Sequence, residues 1–596
     1  MAYHDKKQGG GRPGRARTVS RAEGSADQLR ELLARIDHRG YPAYKELTGQ
    51  WEFPGYTLVI DHVQGDPFAS PSSVHAEVSG EKAGFPKSLY DQKWKKTALE
   101  DHLLRLFDSS TRAYSFRAGG SGKSGLIESS RPGQEVLERS MCHVDTADGS
   151  LFLGMKIGFP AHGRTIDAKS LEKILFVYLP ECIQKTLFYR NLDREKLQQA
   201  IDLADDQHFI REEMGRRGLI VFAGNGSILP RRSGVSQLPM KEAVPFQSPA
   251  SLEVEMQLPH RGLLRGMGIR KGITLIVGGG YHGKSTLLDA VMLGVYDHIE
   301  GDGREYVLTD ATAMKIRAED GRIVEDADIS MFINHLPGGT DSRHFSTENA
   351  SGSTSQAANI AEAIQAGAGV FLIDEDTSAT NFMMRDALMR ELIPEEKEPI
   401  TPFLERISEI YAGYGISTIL VAGSFGAYFE KADTILQMDS YKAIDITARA
   451  KEIAAAHAEG QKGPDASAMA GKEEENAWHA AGKEGAARPV RPLRLSERSK
   501  LRVSGKEGFS IDRGRADLRY VEQIADPEQV TALAYITQQI LTRADGRKDL
   551  VQLAEETCRR MEKEGFAALY SGHAMPQMAM PRKLEICAAV SRFRRG

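Results

Sequence analysis

Four side chains carry the chemistry that this sequence can offer: Lys284, Ser285, Asp374 and Glu375. The first two close the run GGGYHGKS, in which Gly278, Gly283, Lys284 and Ser285 satisfy G-x-x-x-x-G-K-[ST] with nothing missing. Glycines at that spacing let the backbone turn tightly enough for several N–H groups to converge on a phosphate, and the positive end of a following helix adds to the field. The cradle so formed comprises Gly278, Gly279, Gly280, Tyr281, His282, Gly283, Lys284, Ser285 and Thr286. Lys284 would reach the β- and γ-phosphates of ATP, and the Ser285 hydroxyl would sit on Mg²⁺. Asp374 and Glu375 follow the apolar run Val370–Ile373. One carboxylate in that position holds Mg²⁺ through water, and the next orients and polarises an attacking water. The implied chemistry is phosphoryl transfer to water, with Lys284 and Glu375 as catalytic residues and Ser285 and Asp374 as metal ligands.

The elements needed to position these groups are legible around them. Ile273–Val277 reads as a β-branched strand, followed by the glycine turn and a helix with apolar Leu287, Leu288, Val291, Met292 and Val295 at helical spacing. Val370–Ile373 reads as a second buried strand. Between them, ASGSTSQAANIAEAI (350–364) places Ser351 and Gly352 at the start of a helix that runs through Ile360 and Ile364 to a glycine C-cap at Gly367. A serine hydroxyl and free N–H groups at a helix start form an anion site.

Laid against the ATP-binding-cassette pattern, Ser351 and Gly352 stand for the signature SG, with Ile360–Ala363 in register as I-A-x-A. DEDTSATN (374–381) matches the segment from the Walker B acids to the D-loop, with Asp376 replacing the usual proline and Asn381 the usual aspartate. With GGGYHGKSTLL, FSTENASGSTSQAANIAEAI and LIDEDTSATNFMMRD, the chain resembles the family of predicted ATPases of the ABC class, which has bacterial members and a trypanosome mitochondrial RNA-editing-associated member. The similarity runs from about residue 30 over nearly the whole chain and is weakest over roughly 450–508. The resemblance implies an α/β fold: a P-loop NTPase of ATP-binding-cassette type with an N-terminal α/β domain and a C-terminal mainly helical domain. It also implies a head-to-tail homodimer with two shared sites, in which Ser351, Gly352 and Asn381 complete the site of the other copy. Three family roles lack an evident holder. No glutamine occurs between 301 and 350, so Asn334 stands in for the Q-loop residue. The switch-histidine position falls on Gly423 or Ser424, leaving His282 either to sense the γ-phosphate or to be a surface histidine. Phe246 is the aromatic available to stack on adenine.

The 596 residues exceed one core, and three or four domains are expected. Hydrophobic content of 41 % and charged content of 27 % fit a soluble globular protein, and a net charge of −5 gives no general attraction to nucleic acid or membranes. Cys142, Cys182, Cys558 and Cys587 lie far apart without a C-x-x-C pair, which excludes a zinc or disulfide framework and points to the reducing cytoplasm. No signal-peptide core is visible, and no stretch approaches the roughly 20 apolar residues that span a bilayer.

The expected division is a disordered basic Gly/Arg tail (1–26), an N-terminal α/β domain (27–235), the ABC-type P-loop domain (236–450), a flexible linker (451–508) and a C-terminal helical domain (509–596). The tail carries Lys6, Lys7, Arg12, Arg15, Arg17 and Arg21, and the C-terminus Arg582, Lys583, Arg592, Arg594 and Arg595. Each basic end either touches RNA or DNA phosphates or is solvated. GGSGKSG (119–125) imitates a second phosphate loop, but Arg117 stands where its first glycine should be, and a proline and a glycine interrupt the helix that should follow. It is read as a loop, with Lys123 and Arg117 available to some other phosphate. Three functions compete: an ATPase that remodels RNA or DNA, a slow nucleotide-gated clamp or binding module, and a small-molecule kinase, which would leave the signature segment without a purpose.

Overall fold

The computed structural model describes residues 22–595 except 337–338, 386–391, 394–396, 424, 461–488, 494, 496–498 and 573. The expected basic tail therefore lies outside the described residues up to 21. Its last residues, Ala22–Ser25, form strand β1, and Ser25 caps helix α1 (Ala26–Ile36) through a reciprocal pair with Gln28.

β1 opens a seven-stranded sheet with β2 (Gly49–Phe53), β3 (Tyr56–His62), β4 (Ser72–Val78), β5 (Ile127–Glu128), β6 (Cys142–Val144) and β7 (Leu151–Ile157). The order is β1-β2-β3-β4-β7-β5, with β6 also on β7, and only the β1–β2 pairing is parallel. Helices α2 (Lys93–Arg112) and α3 (Arg194–Arg217) pack against each other, and α2 contributes Leu99, Leu103 and Phe107 to the apolar core of this sheet.

The next sheet crosses the boundary expected at residue 235. β8 (Leu219–Gly224), β9 (Glu253–Leu258), β10 (Gly262–Arg270) and β12 (Val307–Thr309) pair antiparallel in the order β9-β10-β8-β12. Beside it lies the sheet that carries the chemistry, built from β11 (Ile273–Val277), β13 (Ala313–Ile316), β14 (Val370–Asp374), β15 (Ser417–Val421), β16 (Thr434–Asp439) and β17 (Lys442–Asp445). Its order is β13-β14-β15-β11-β16-β17, parallel except for the last pair. β13, β14 and β15 are buried along their whole length, as a parallel sheet covered on both faces requires, which is why β14 reads as the apolar run Val370–Ile373 rather than an alternation. Helices α4 (Lys284–Leu293) and α5 (Gly352–Ala366) follow the phosphate loop and Ser351, and α6 (Phe403–Tyr414) precedes β15. Because β11 and β14 run parallel, their carboxyl ends emerge on one edge, where α/β folds bind ligands.

Residues 451–460, expected to be linker, belong to helix α7 (Thr447–Gly460). Its run of alanines with Lys and Glu has high helix propensity, which outweighs the lack of large apolar groups. The middle of that segment, 461–488, lies outside the described residues. The remainder forms helices α8 (Pro527–Arg543), α9 (Leu550–Glu564) and α10 (Lys583–Ser591) with a four-stranded antiparallel sheet of β18 (Leu501–Ser504), β19 (Gly508–Ile511), β20 (Gly514–Asp517) and β21 (Phe593–Arg594). Asp526 caps α8 through a reciprocal pair with Gln529, with Pro527 at the first position, as the sequence indicates. One continuous core joins Ile360 and Ala363 of α5 to Val530 and Leu533 of α8 and Ile586 of α10. Among the described residues no helix is long and apolar enough to cross a membrane.

Candidate active site

The phosphate loop owes its shape to close backbone approach. Gly278 has φ 141°, and a Cβ there would lie 2.4 Å from the Met438 carbonyl oxygen. Gly283, with φ 99°, precedes α4, and a Cβ there would stand 2.8 Å from the Tyr441 ring. No other residue type fits either position. Between them Tyr281 takes φ 63° with its ring wholly exposed. Lys284 Nζ donates to the carbonyls of Gly278 and Gly279, each at 2.8 Å, which holds the ammonium over the loop.

The two strands bring the other groups to the same place. Ser285 Oγ lies 3.5 Å from Asp374 Oδ2, so the two expected metal ligands converge although they come from separate elements. Asp374 Oδ1 accepts from the Asp376 N–H at 3.2 Å, which fixes the carboxylate plane. Glu375 Oε2 accepts from the Gly423 N–H at 2.5 Å. Gly423 occupies the place where a histidine was sought, and its contribution is a backbone donor. Ser424 lies outside the described residues.

Ser351 caps α5, accepting from Thr354 N at 3.4 Å and lying 2.9 Å from Thr354 Oγ1. Gly367 ends the helix at φ 85°. Ser351 is exposed, and within one chain no described hydrogen bond joins it or Gly352 to the phosphate loop. Sequence reading passed over Gln356, which is fully buried. Its Oε1 accepts from Ala379 N at 2.9 Å and its Nε2 donates to Ser378 Oγ at 3.1 Å. The serine-led helix thus holds the segment that ends in exposed Asn381.

His282 is tied to a turn. Its Nδ1 accepts from Ser440 N at 2.9 Å and lies 3.0 Å from Asp439 Oδ1, while its carbonyl accepts from Tyr441 N at 3.1 Å. These contacts fasten the loop to the hairpin while 39 % of the His282 side chain stays exposed. No glycine marks this turn in the sequence, so the usual hairpin signal is absent.

Other expected residues lie elsewhere. Phe246 is 2 % exposed within the core beneath α4, so it cannot stack on a base. Asn334 donates to the Ser330 carbonyl at 2.8 Å. The carboxyl end of β13, beside β14, carries Arg317, Ala318 and Glu319 instead. In the 119–125 loop the N–H groups of Ser121, Lys123 and Gly125 donate to Ala161, Pro67 and Gly158, so no cradle of converging donors exists there.

The basic C-terminus is turned inward. Arg592, fully buried, donates to both Glu319 oxygens, at 3.1 and 2.5 Å, and to Asn359 Oδ1 at 2.8 Å. Asn359, on α5, donates to Glu319 Oε1 at 2.9 Å and accepts from Arg322, which also meets Glu362. Burial pushes the Glu319 carboxyl up, but the Arg592 and Arg322 charges beside it win and hold it below its ordinary value. Arg582 pairs with Glu585 and donates to the carbonyls of Ala311 and Ala313, Lys583 meets Glu555, Arg594 meets Glu348, and Arg595 donates to the Arg491 carbonyl. Each of these cations thus has a partner within the chain, although Arg594 and Lys583 keep 47 % and 33 % of their side chains exposed. Patterns of charge alone did not show the partners of Arg592 and Arg594, because Glu319 and Glu348 lie 273 and 246 positions away.

The chain is similar to known proteins over most of its length. Three family models tile the chain: ATPase of the ABC class N-terminal over residues 26–190, the P-loop domain of the ABC ATPase over 193–474, and the MRB1590 C-terminal domain over 500–596. The uncharacterized protein MJ1628 of Methanocaldococcus jannaschii is 31 % identical over 261 residues, which cover 42 % of this chain and 57 % of that protein. The match thus spans little more than half the length of that relative. Among solved structures, cbiO1 of Clostridium perfringens, part of the ABC transporter complex cbiONQ, is 13 % identical with a TM-score of 0.25, covering 41 % of this chain and 96 % of its own. The ADP conformation of MJ1267, an ATP-binding cassette of an ABC transporter, is 12 % identical with a TM-score of 0.25, covering 40 % and 95 %. With its phosphate loop, paired acids and serine-led helix on one P-loop scaffold, and with its N-terminal, central and C-terminal parts each matched, the chain belongs to the ATPases of the ABC class.

Proposed function

We propose that this protein binds and hydrolyses Mg-ATP as a head-to-tail homodimer and couples closure around ATP to gripping or remodelling a nucleic acid, RNA before DNA, in the cytoplasm. The observation that carries the hydrolytic part is the convergence of Ser285, Asp374 and Glu375 at the strand edge above Lys284.

The donor set suits a hard divalent cation: a hydroxyl and a carboxylate oxygen 3.5 Å apart. Ser285 would bind Mg²⁺ directly and Asp374 through water, and the ion would supply neutralisation of charge on the β- and γ-phosphates. The backbone from Gly278 to Thr286 cradles the phosphates and Lys284 bridges the β- and γ-groups. Glu375, its carboxylate fixed by the Gly423 N–H, orients the water that attacks the γ-phosphorus as the bond to the β-phosphate oxygen breaks, giving ADP and phosphate. Ser351, Gly352 and Asn381 of the second copy close the site, which fits the exposure of Ser351 and its lack of contact with its own phosphate loop. The nucleic-acid partner rests on the basic termini, of which Arg582 and Arg592 are engaged in largely buried pairs within the chain. We divide the chain functionally into an N-terminal unit, a P-loop unit and a C-terminal unit that braces the serine-led helix.

A slow nucleotide-gated clamp is the second reading, favoured by Gly423 offering only a backbone donor where a titratable side chain would relay protons. Turnover stimulated by RNA supports remodelling, and flat, slow turnover supports the clamp. Glu375→Gln is expected to keep ATP binding and abolish turnover. An equimolar mixture of Lys284→Ala and Gly352→Asp proteins, each inactive alone, is expected to regain activity, because one site of each mixed dimer has both halves intact. No recovery would remove the shared-site dimer, and unchanged turnover in Glu375→Gln would remove the hydrolytic assignment.

A further inference from the structure

The geometry points to Tyr441 as the platform on which the nucleoside of the bound triphosphate rests, an assignment that depends on Gly278–Ser285 being the phosphate cradle. Asp439 pairs with Lys442 across the end of the β16–β17 hairpin, so Ser440 and Tyr441 form a two-residue turn. Their φ angles are 50° and 66°. Hairpins reserve that conformation for Gly, Asn and Asp, because a side chain there strains the backbone. An aromatic kept under such strain marks a position with work for its ring.

The turn is fastened where a nucleotide would lie. Ser440 N donates to His282 Nδ1 and Tyr441 N to the His282 carbonyl, at 2.9 and 3.1 Å. The Tyr441 ring lies against Gly283, the last residue before Lys284, so closely that a methyl group on Gly283 would stand 2.8 Å from it. The outer part of the ring is free, with the residue 45 % exposed. Of the alternatives beside the cradle, Phe246 is buried, and Tyr281 is 99 % exposed, so nothing fixes the orientation of its ring. A triphosphate anchored on the loop would project its ribose and base from the loop's margin, where the Tyr441 ring is held against Gly283. Stacking reads the face of any base, so the site would take nucleoside triphosphates with little discrimination between adenine and guanine.

The test uses full-length protein and two Mg²⁺-bound probes, ATP and inorganic tripolyphosphate, with affinities from calorimetry. Tyr441→Ala is expected to weaken ATP about tenfold or more while leaving tripolyphosphate unchanged, and Tyr441→Phe to restore ATP. Equal loss of both probes would show that the turn only shapes the loop, and an unchanged ATP affinity, or a loss produced by Tyr281→Ala instead, would equally overturn the assignment. Lys284→Ala separates the two levels. It is expected to weaken both probes, and if it weakens neither, the cradle reading fails and takes the platform with it.

Discussion

Removing the Arg592 guanidinium should loosen the serine-led helix without touching the phosphate loop. Arg592 is joined to Glu319 by two hydrogen bonds and to Asn359 of α5 by a third, with both charged side chains no more than 5 % exposed. Arg592→Ala leaves the Glu319 carboxylate buried with Arg322 as its one nearby cation and takes a donor from Asn359. Breaking a buried pair from one side costs about 3–5 kcal/mol, most of it the desolvated charge left behind. A chain of several units does not unfold in one step, so the loss is best read locally, as amide exchange in residues 352–366. At 1.4 kcal/mol per tenfold, α5 should exchange roughly a hundred- to a few thousandfold faster, while α4 stays protected. Glu319→Gln combined with Arg592→Met, which removes both charges, should recover most of the loss. Acid should act in the same direction on the wild type. The Glu319 carboxyl lies below its ordinary 4.5, so the pair contributes fully above that value and is lost as pH falls through the depressed one. Exchange in 352–366 rising less than about threefold, or the double variant proving worse than Arg592→Ala, would refute the bracing argument.

Gln523, 3 % exposed, accepts from Lys315 N and donates to the carbonyls of Met292 and Ala313, so Gln523→Leu should destabilise the junction of α4, β13 and the C-terminal unit by about 3 kcal/mol or more, measured by local exchange. Gly283→Ala should abolish ATP binding in calorimetry, since the added methyl meets both a φ of 99° and the Tyr441 ring. His75, 12 % exposed on its side chain, loses proton affinity by burial but gains more from hydrogen bonds to Asp61 at 2.6 Å and Glu77 at 3.1 Å, which raise it to about 9. Its folded value exceeds the unfolded one, so its contribution is complete below about 6.5 and lost as pH rises through 9, a slope that should vanish in His75→Gln when thermal unfolding is followed between pH 6 and 10.

What the sequence disclosed follows the range of the forces involved. Gly278, Lys284 and Ser285 are bound to one another by neighbouring backbone geometry, and the caps at Ser351, Gly367 and Asp526 satisfy helix ends from three or four residues away, so spacing alone reveals them. The buried strand β14 reads as an apolar run because a covered parallel sheet leaves no polar face to alternate with. The residues that escaped notice act across long separations or through the backbone. Gly423 contributes an N–H that any residue carries, and the Ser440–Tyr441 turn lacks the glycine by which such turns are found. Arg592 looked like one of several terminal cations because Glu319, its partner, lies 273 positions earlier. That pairing changes the functional argument. A C-terminus that grips α5 through a buried ion pair, while Gln523 grips α4 and β13, ties the two halves of the nucleotide site to one brace. Under the proposed closure around ATP, any movement of the serine-led helix would carry the C-terminal unit with it, which would make that unit the part able to report the state of the site.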